Sequence, residues 1–162
     1  MGLLTPVAVR MGAIPWLPRF LPQIVWIDKT LHRVTGGRVT LLDLAGLPNL
    51  YLTVKGRKSG IERTTPLLCV PDADTILIAG SYFGGPRMPL WVANLRAAGG
   101  DATIAFRRER FRVHASELTG DDRAAAWQHM LETWPNYAKY EKRTERTIPV
   151  FRLRRVATGS TG

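Results

Sequence analysis

A basic segment containing two glycines, residues 54–63, is the part of this 162-residue chain whose residue types most clearly indicate chemistry. It reads Val-Lys-Gly-Arg-Lys-Ser-Gly-Ile-Glu-Arg and directly follows the apolar run 50–54. Glycines allow a tight turn, and such a turn can direct backbone N–H groups and cationic side chains at one anion. The segment therefore predicts an anion-binding loop, with a phosphate as the expected ligand.

A second loop, residues 80–89, is rich in glycine and proline and leads into a helix predicted over 90–98. The N-terminus of a helix attracts anions. Two such loops favour a ligand site over the solvated basic hairpin that composition alone would indicate. The basic segment lacks the spacing of a Walker A loop and no GxGxxG follows a strand, so a generic nucleotide hydrolase is disfavoured.

The composition points to negatively charged partners and away from metals. The formal net charge is +10, which suits nucleic acid, an anionic membrane or a phosphorylated or carboxylated small molecule. The one cysteine, Cys69, excludes an intrachain disulfide, and its apolar surroundings predict a core residue in a reducing, cytosolic protein. His32, His114 and His129 lack ligand-like spacing, so no metal site is expected.

The hydrophobic patterns predict a mainly β protein. Strands are expected from alternating or apolar runs over 50–55, 64–70, 75–79, 102–106, 110–116 and 148–153. Helices are expected over 90–98, 119–134 and 137–144. The first three strands are joined by short links and suggest an antiparallel meander. Because strands and helices do not alternate, the expected fold class is α+β, a small barrel of about six mostly antiparallel strands with helices packed outside.

The N-terminal third combines apolar, aromatic and basic residues and is interrupted by prolines up to position 22. A helix is predicted over 23–34 and a short strand over 39–44. No apolar run reaches the roughly 18 to 20 residues that a spanning helix needs, and no signal peptide is recognisable. Residues 1–34 are expected to pack on the domain or to lie at an anionic membrane surface, residues 35–156 to form the barrel domain, and residues 157–162 to form a flexible tail.

Four short motifs in this order resemble the deazaflavin-dependent nitroreductase family of actinobacteria. They are Gly56-Arg57-Lys58-Ser59-Gly60 with Arg63 and Thr65-Pro66-Leu67, then Pro89-Leu90-Trp91 with Asn94-Leu95, then Trp134-Pro135-Asn136-Tyr137, then Arg146-Thr147-Ile148-Pro149-Val150. The likeness runs from about residue 35 to residue 153. It implies a split β-barrel that binds coenzyme F420, a deazaflavin with a phosphodiester and a polyglutamate tail. A cofactor with several carboxylates agrees with the basic composition.

The resemblance also implies individual site residues. The expected cofactor-binding residues are Lys55, Arg57, Lys58, Ser59, Arg63, Thr65, Pro66, Ser81, Trp91 and Asn94. The first five would hold the phosphate and tail, the next two would continue along the cofactor, and the last three would lie near the ring or its ribityl chain. The expected catalytic residues are Tyr137, Tyr140 and Ser81, which would line the acceptor pocket. Simple packing remains the alternative for Trp91 and for both tyrosines.

The expected function is an F420H2-dependent oxidoreductase that passes a hydride to a quinone or nitroaromatic acceptor. The protein would orient the cofactor and stabilise the oxyanion that develops. Two departures from the family pattern, Trp134 and Tyr82, lie near the expected acceptor. The alternatives are an F420- or FMN-dependent reductase of enones or tetrapyrroles, and a basic nucleic-acid-binding barrel. A cytoplasmic protein is expected, with peripheral membrane contact and homodimer formation as further expectations and without a nucleic-acid partner.

Overall fold

A computed structural model describes residues 47–157, apart from the side chain of Phe83. The strands in this part of the chain are β1 Asn49–Lys55, β2 Glu62–Leu68, β3 Val70–Asp72, β4 Thr75–Ala79, β5 Asp101–Phe106, β6 Glu109–Glu117 and β7 Val150–Arg155. The α-helices are α1 Leu90–Ala97, α2 Gly120–Thr133 and α3 Asn136–Arg143. A 3-10 turn, Tyr82–Gly84, lies between β4 and α1. The helix expected over 23–34 and the strand expected over 39–44 lie outside the described residues, as do residues 158–162.

The seven strands form one antiparallel sheet in the order β2-β1-β5-β6-β7-β4-β3. Strands β2 and β3 lie at opposite edges of this sheet, yet only Cys69 separates them in the chain. Successive Cα atoms are about 3.8 Å apart, so the two edges must meet at this residue. The sheet therefore curls into a barrel, which confirms the expected fold class.

The expected meander is wrong in one respect. The single strand predicted over 64–70 is two strands, because the run changes partner at Cys69: β2 pairs with β1 and β3 pairs with β4. The Cys69 N–H donates to the Pro48 carbonyl at 3.0 Å, which holds the crossing point. Both strands are extended and continuous in sequence, so the local pattern contains no break. The sheet consequently has seven strands where about six were expected.

Alternation along the strands produces two hydrophobic clusters. Ile76 and Ile78 on β4 face the barrel interior, whereas Leu77 between them faces outward. Helix α1 contributes Trp91, Val92 and Leu95 to the interior cluster. Helices α2 and α3 cover the outer face of β3 and β4. Each fully buried large apolar side chain stabilises the fold by roughly 1.5–3 kcal/mol. These contacts hold α1 against the interior cluster and hold α2 and α3 against the outer face of the sheet.

The strand register gives the barrel two distinct ends. The loop end carries the connection between β1 and β2, the connection between β4 and α1, and the start of β7. The hairpin end carries the two-residue turns 73–74, between β3 and β4, and 107–108, between β5 and β6. Both anion-friendly loops predicted from the sequence therefore lie at the loop end.

Candidate cofactor and acceptor site

The basic loop between β1 and β2 is closed by its own hydrogen bonds. The Gly56 N–H donates to the Ile61 carbonyl at 2.8 Å, and the Gly60 N–H donates to the Gly56 carbonyl at 2.8 Å. The Ser59 hydroxyl accepts from the Ile61 N–H at 3.2 Å. Gly60 has φ +70°, which favours glycine. These contacts, all within residues 56–61, define the conformation of the loop.

Asn94 ties this loop to helix α1. Its side-chain oxygen accepts from the Arg57 backbone N–H at 3.1 Å and from the Arg57 guanidinium at 3.3 Å. Asn94 is only 7% exposed, so the acceptor is largely shielded from water, whereas Arg57 is exposed. The N–H groups of Lys58 and Ser59 take part in none of the hydrogen bonds found within residues 47–157. Those two N–H groups and the exposed cations of the loop are the groups available to an anion.

The flanking strands divide the remaining predicted cofactor residues between two faces. Residues directly opposite each other in an antiparallel pair share a face. Arg63 and Thr65 lie opposite buried residues of β1 and share their inward face. Lys55 and Pro66 lie on the outward face. The structure therefore places Arg63 and Thr65 together beside the loop, with Lys55 next to the loop on the other face and Pro66 further from it.

The glycine-rich loop is held by Arg146, a residue to which the sequence analysis gave no role. Its guanidinium donates to the carbonyls of Gly80 at 2.8 Å, Ser81 at 3.0 Å and Gly85 at 3.2 Å. Partial burial lowers the pKa of Arg146 from its usual value. An arginine forms several directed hydrogen bonds at once, so one side chain fixes this loop. The only sequence signal for this role was its place in the fourth motif.

The same loop packs directly on helix α3. Gly84 has φ +76°, and a Cβ atom at this position would lie 2.8 Å from the Tyr140 Cα atom. Tyr82 has φ +44°, an uncommon conformation for a residue other than glycine. The Ser81 hydroxyl takes part in none of the hydrogen bonds found among the described residues, and Ser81 is partly exposed. The fold therefore places the turn that directly follows Ser81 against the helix that carries the two predicted tyrosines.

Tyr137 and Tyr140 are buried rather than exposed on the helix. They are 2% and 1% exposed, in the cluster between α2, α3 and the outer face of the sheet. The Tyr137 ring lies 5.3 Å from the Trp127 ring and 6.1 Å from the Tyr140 ring, and burial raises its pKa. Of the three predicted catalytic residues, Ser81 is the most exposed.

Tyr140 has a specific hydrogen-bond partner. The Trp134 indole N–H donates to its hydroxyl at 3.1 Å. Burial raises the pKa of Tyr140 to about 12, although the Trp134 hydrogen bond and the nearby Arg143 act in the opposite direction. The phenol is therefore protonated at neutral pH. Trp134, one of the two departures from the family pattern, orients this tyrosine.

Three further residues have clear positions. The Trp91 ring is buried 5.7 Å from the Phe151 ring, as the packing alternative for Trp91 describes. Cys69 is buried, and burial raises the pKa of its thiol to about 12, which confirms it as a core residue. His114 has an exposed side chain.

Residues 47–157 contain no group of three or more side chains arranged to bind a metal. Within the same residues, the helices lack the length and apolar character that crossing a bilayer requires.

The fold and the site define a split-barrel protein with a basic loop, closed by its own hydrogen bonds, at one end. The sequence profile of the F420H(2)-dependent quinone reductase family matches residues 26–155. The chain therefore belongs to this family and is an F420-dependent oxidoreductase. This confirms the family resemblance and the cofactor expected from the sequence, while the roles of individual residues remain predictions.

Individual relatives agree with the family assignment. The F420H(2)-dependent quinone reductase Rv1261c of Mycobacterium tuberculosis is 36% identical over 144 residues, which cover 86% of this chain and 96% of the relative. The solved structure of the F420-H2 dependent reductase FDR-A is 32% identical, with a TM-score of 0.60 over 65% of this chain and 93% of that chain. A solved domain-swapped dimer is 29% identical, with a TM-score of 0.62 over 79% of this chain and 96% of that chain.

Proposed function

We propose that this protein transfers a hydride from reduced F420 to a quinone at the loop end of the barrel. The observation that carries the proposal is the convergence there of the basic loop held by Asn94, the glycine-rich loop held by Arg146, and helix α3. The name of the mycobacterial relative supports a quinone as acceptor. A nitroaromatic compound is proposed as a second acceptor.

The basic loop fits the anionic part of F420. None of the side chains of Lys55, Arg57, Lys58 and Arg63 forms an ion pair within residues 47–157. These four side chains and Ser59 would hold the phosphodiester and the carboxylate tail. Because Asn94 accepts from both the backbone and the side chain of Arg57, it would keep this guanidinium in place for the cofactor. Trp91 would support the ring region from behind, since its own ring is buried against Phe151.

The glycine-rich loop would contact the acceptor. When bound, reduced deazaflavin supplies the hydride, and the quinone also takes up a proton to become the hydroquinone. The Ser81 hydroxyl would donate a hydrogen bond to the acceptor oxygen as negative charge develops there. Arg146 would hold the Ser81 backbone in position through its carbonyl. Tyr140, whose backbone packs on the loop at Gly84, would support the loop as a neutral phenol, since tyrosine is protonated at neutral pH and burial raises its pKa further.

The test is the rate at which reduced F420 is oxidised by a water-soluble menaquinone analogue, a nitroaromatic compound and an enone, each measured separately. Hydride transfer predicts a primary kinetic isotope effect when the donating carbon of F420 carries deuterium. Ser81→Ala should lower kcat by roughly tenfold or more. Ser116→Ala is the matched control, because Ser116 is exposed on β6, two strands from β4 in the sheet, and is not part of the glycine-rich loop.

Four outcomes would contradict the proposal. Faster reduction of the enone than of the quinone would favour the enone reductase alternative. Turnover with reduced FMN but not with reduced F420 would show that F420 is not the hydride donor. Equal loss of activity in Ser81→Ala and Ser116→Ala would remove Ser81 from the site. Oligonucleotide binding in moderate salt without F420 binding would favour the nucleic-acid alternative.

The domain boundaries, the cellular location and the oligomeric state complete the proposal. We propose that residues 35–156 form the deazaflavin-binding domain of a cytoplasmic protein and that residues 1–34 pack on it or contact an anionic membrane. Pelleting with anionic liposomes that is unchanged after removal of residues 1–22 would exclude the membrane role of that segment. The related domain-swapped dimer supports a homodimer, which sedimentation velocity would test.

A further inference from the structure

A second candidate binding site lies at the hairpin end, opposite the cofactor loops. It is a cavity of about 200 Å³ between the turns 73–74 and 107–108. Its apolar lining includes Phe106, Phe111, Val113 and Leu153, and two arginines, Arg107 and Arg155, stand at its mouth. We call it the hairpin-end cavity. Nothing in the proposed reaction uses it, because the cofactor and acceptor loops are at the other end of the barrel.

Both arginines at the mouth lie over the aromatic rings of the lining. The Arg107 guanidinium is 4.8 Å from the centre of the Phe106 ring, and the Arg155 guanidinium is 4.4 Å from the centre of the Phe111 ring. A cation above an aromatic face is attracted to it, and this contact holds the charge at the edge of an apolar space. The mouth therefore offers cationic donors directly beside an apolar floor.

The carboxylates around the mouth leave some of the arginine N–H donors there without an anionic partner among the described residues. Glu109 accepts from one Arg155 nitrogen at 2.6 Å, and Asp74 lies 3.8 Å from Arg154. An arginine has five N–H donors, so the contact with Glu109 uses only part of Arg155. Arg107 forms no ion pair within the part of the chain that the structure describes. The charge at the mouth thus complements one additional anionic group.

The turn that carries Arg107 is conformationally costly. Arg107 has φ +50° and Arg108 has φ +66°, so both residues of this two-residue turn are left-handed. Such turns strongly favour Asn-Gly, because a side chain such as that of arginine is strained in this conformation. Strain of this kind is often retained for function. The turn therefore holds Arg107 at the mouth in a conformation that lowers local stability.

We propose that the hairpin-end cavity binds a small carboxylate with an apolar body, its ring or short chain in the cavity and its acid group on Arg107 and Arg155. The volume of about 200 Å³ exceeds the roughly 150 Å³ of an apolar protein cavity that accepts benzene, so an aromatic ring is of a suitable size. The apolar lining selects the body of the ligand, and the arginines select its charge.

The experiment measures binding of benzoate to the full chain by ligand-observed saturation-transfer NMR, with benzyl alcohol as the uncharged analogue of similar shape. Benzoate should bind and benzyl alcohol should bind about tenfold more weakly. Arg107→Asn should weaken benzoate binding about tenfold, and because asparagine suits the turn it should not impair folding. Arg108→Gly is the matched control: it removes a cation from the same turn but not from the cavity lining, and should leave binding unchanged.

Each contrary outcome would overturn the proposal. Equal affinity for benzyl alcohol would show that the arginines do not contribute to binding the negative charge of benzoate. Benzoate binding that Arg107→Asn leaves unchanged, or that Arg108→Gly weakens equally, would place the ligand elsewhere. Displacement of benzoate by saturating F420 would assign the acid to the cofactor loops. Absence of saturation transfer at millimolar benzoate would reject the site.

Discussion

The two ends of the barrel both carry arginines, but they hold them in different ways. At the loop end, the buried Asn94 oxygen fixes Arg57, and Arg146 is fixed by three backbone carbonyls. At the hairpin end, Arg107 and Arg155 lie over phenylalanine rings at the edge of solvent, and the one carboxylate partner that either has among the described residues is the exposed Glu109, which pairs with Arg155. Directed hydrogen bonds to shielded acceptors set the orientation of a guanidinium, whereas stacking on a ring sets only its approximate place. The difference suits a site that must align a cofactor and an acceptor at the loop end.

The largest expected effect is that of Arg146→Ala. It removes the donor to the carbonyls of Gly80 and Gly85 and leaves the Ser81 carbonyl with the Gly84 N–H alone. We therefore expect a loss of roughly 3–4 kcal/mol in the free energy of unfolding. Quinone reduction should fall by roughly a hundredfold or more, because the loop that carries Ser81 loses its shape. Urea unfolding and steady-state rates measure both effects.

Two control variants sharpen this prediction. Arg146→Lys keeps the charge but lacks the planar fork, so it should recover only part of the stability and rate. Arg154→Ala removes a largely exposed arginine nearer the hairpin end, whose carboxylate partner is 3.8 Å away. We expect Arg154→Ala to change stability by about 0–1 kcal/mol. Equal effects of Arg146→Ala and Arg154→Ala would contradict the comparison of the two ends.

A pair of glycine substitutions separates crowding from backbone strain at the loop end. Gly60 and Gly84 both have positive φ, but an added Cβ has open space at Gly60 and meets the α3 backbone at 2.8 Å at Gly84. Gly60→Ala should cost about 1 kcal/mol from strain alone. Gly84→Ala should cost roughly 2–3 kcal/mol, because overpacking is added to strain. Thermal unfolding of the two variants tests this, and equal costs would show that the loop does not press on α3.

The third prediction concerns alkaline pH. The pKa of Tyr140 is raised to about 12 by burial, so the folded state binds its proton more tightly than the unfolded state, where the value is 10.0. The stabilising contribution is present below pH 10 and is lost as pH rises towards 12. It amounts to roughly 3 kcal/mol. Tyr140→Phe should show a correspondingly shallower loss of stability in urea unfolding between pH 9 and 11, approximately the lower part of that window. Parallel curves for the two proteins would contradict the assignment.

The smallest expected effect is a gain at the hairpin end. Replacing the strained turn by Asn-Gly, as Arg107→Asn with Arg108→Gly, should raise the free energy of unfolding by about 1 kcal/mol. The rate of quinone reduction should not change, because the turn is opposite the cofactor loops. A fall in this rate would show that the two ends are coupled.

Much of the fold follows from local sequence. The features that could not be predicted depend on contacts between distant parts of the chain. The alternation along β4, β5 and β6 and the short turn before Thr75 placed those strands within a residue or two. The change of partner at Cys69 could not be predicted, because the chain stays extended on both sides of it. The spacing of Tyr137 and Tyr140 put them on one face of a helix, but only the packing of α2 and α3 shows that this face is buried.

The site was predicted less completely than the fold, for a related reason. The basic loop is visible in the sequence because its cations and glycines are adjacent. The Arg57–Asn94 contact joins residues 37 positions apart, and the Arg146–Gly80 contact joins residues 66 positions apart. Residue types alone give no partner for either arginine, so their structural roles emerge only from the three-dimensional arrangement.

The most direct test of the central claim is a titration of the purified protein with oxidised F420, followed by the fluorescence of the cofactor. The account predicts saturable binding that Arg57→Ala and Lys58→Ala each weaken by roughly tenfold or more and that Arg108→Ala, at the opposite end, leaves unchanged. Absence of binding in folded protein, or an equal loss in Arg108→Ala, would contradict the claim that the loop end holds the cofactor.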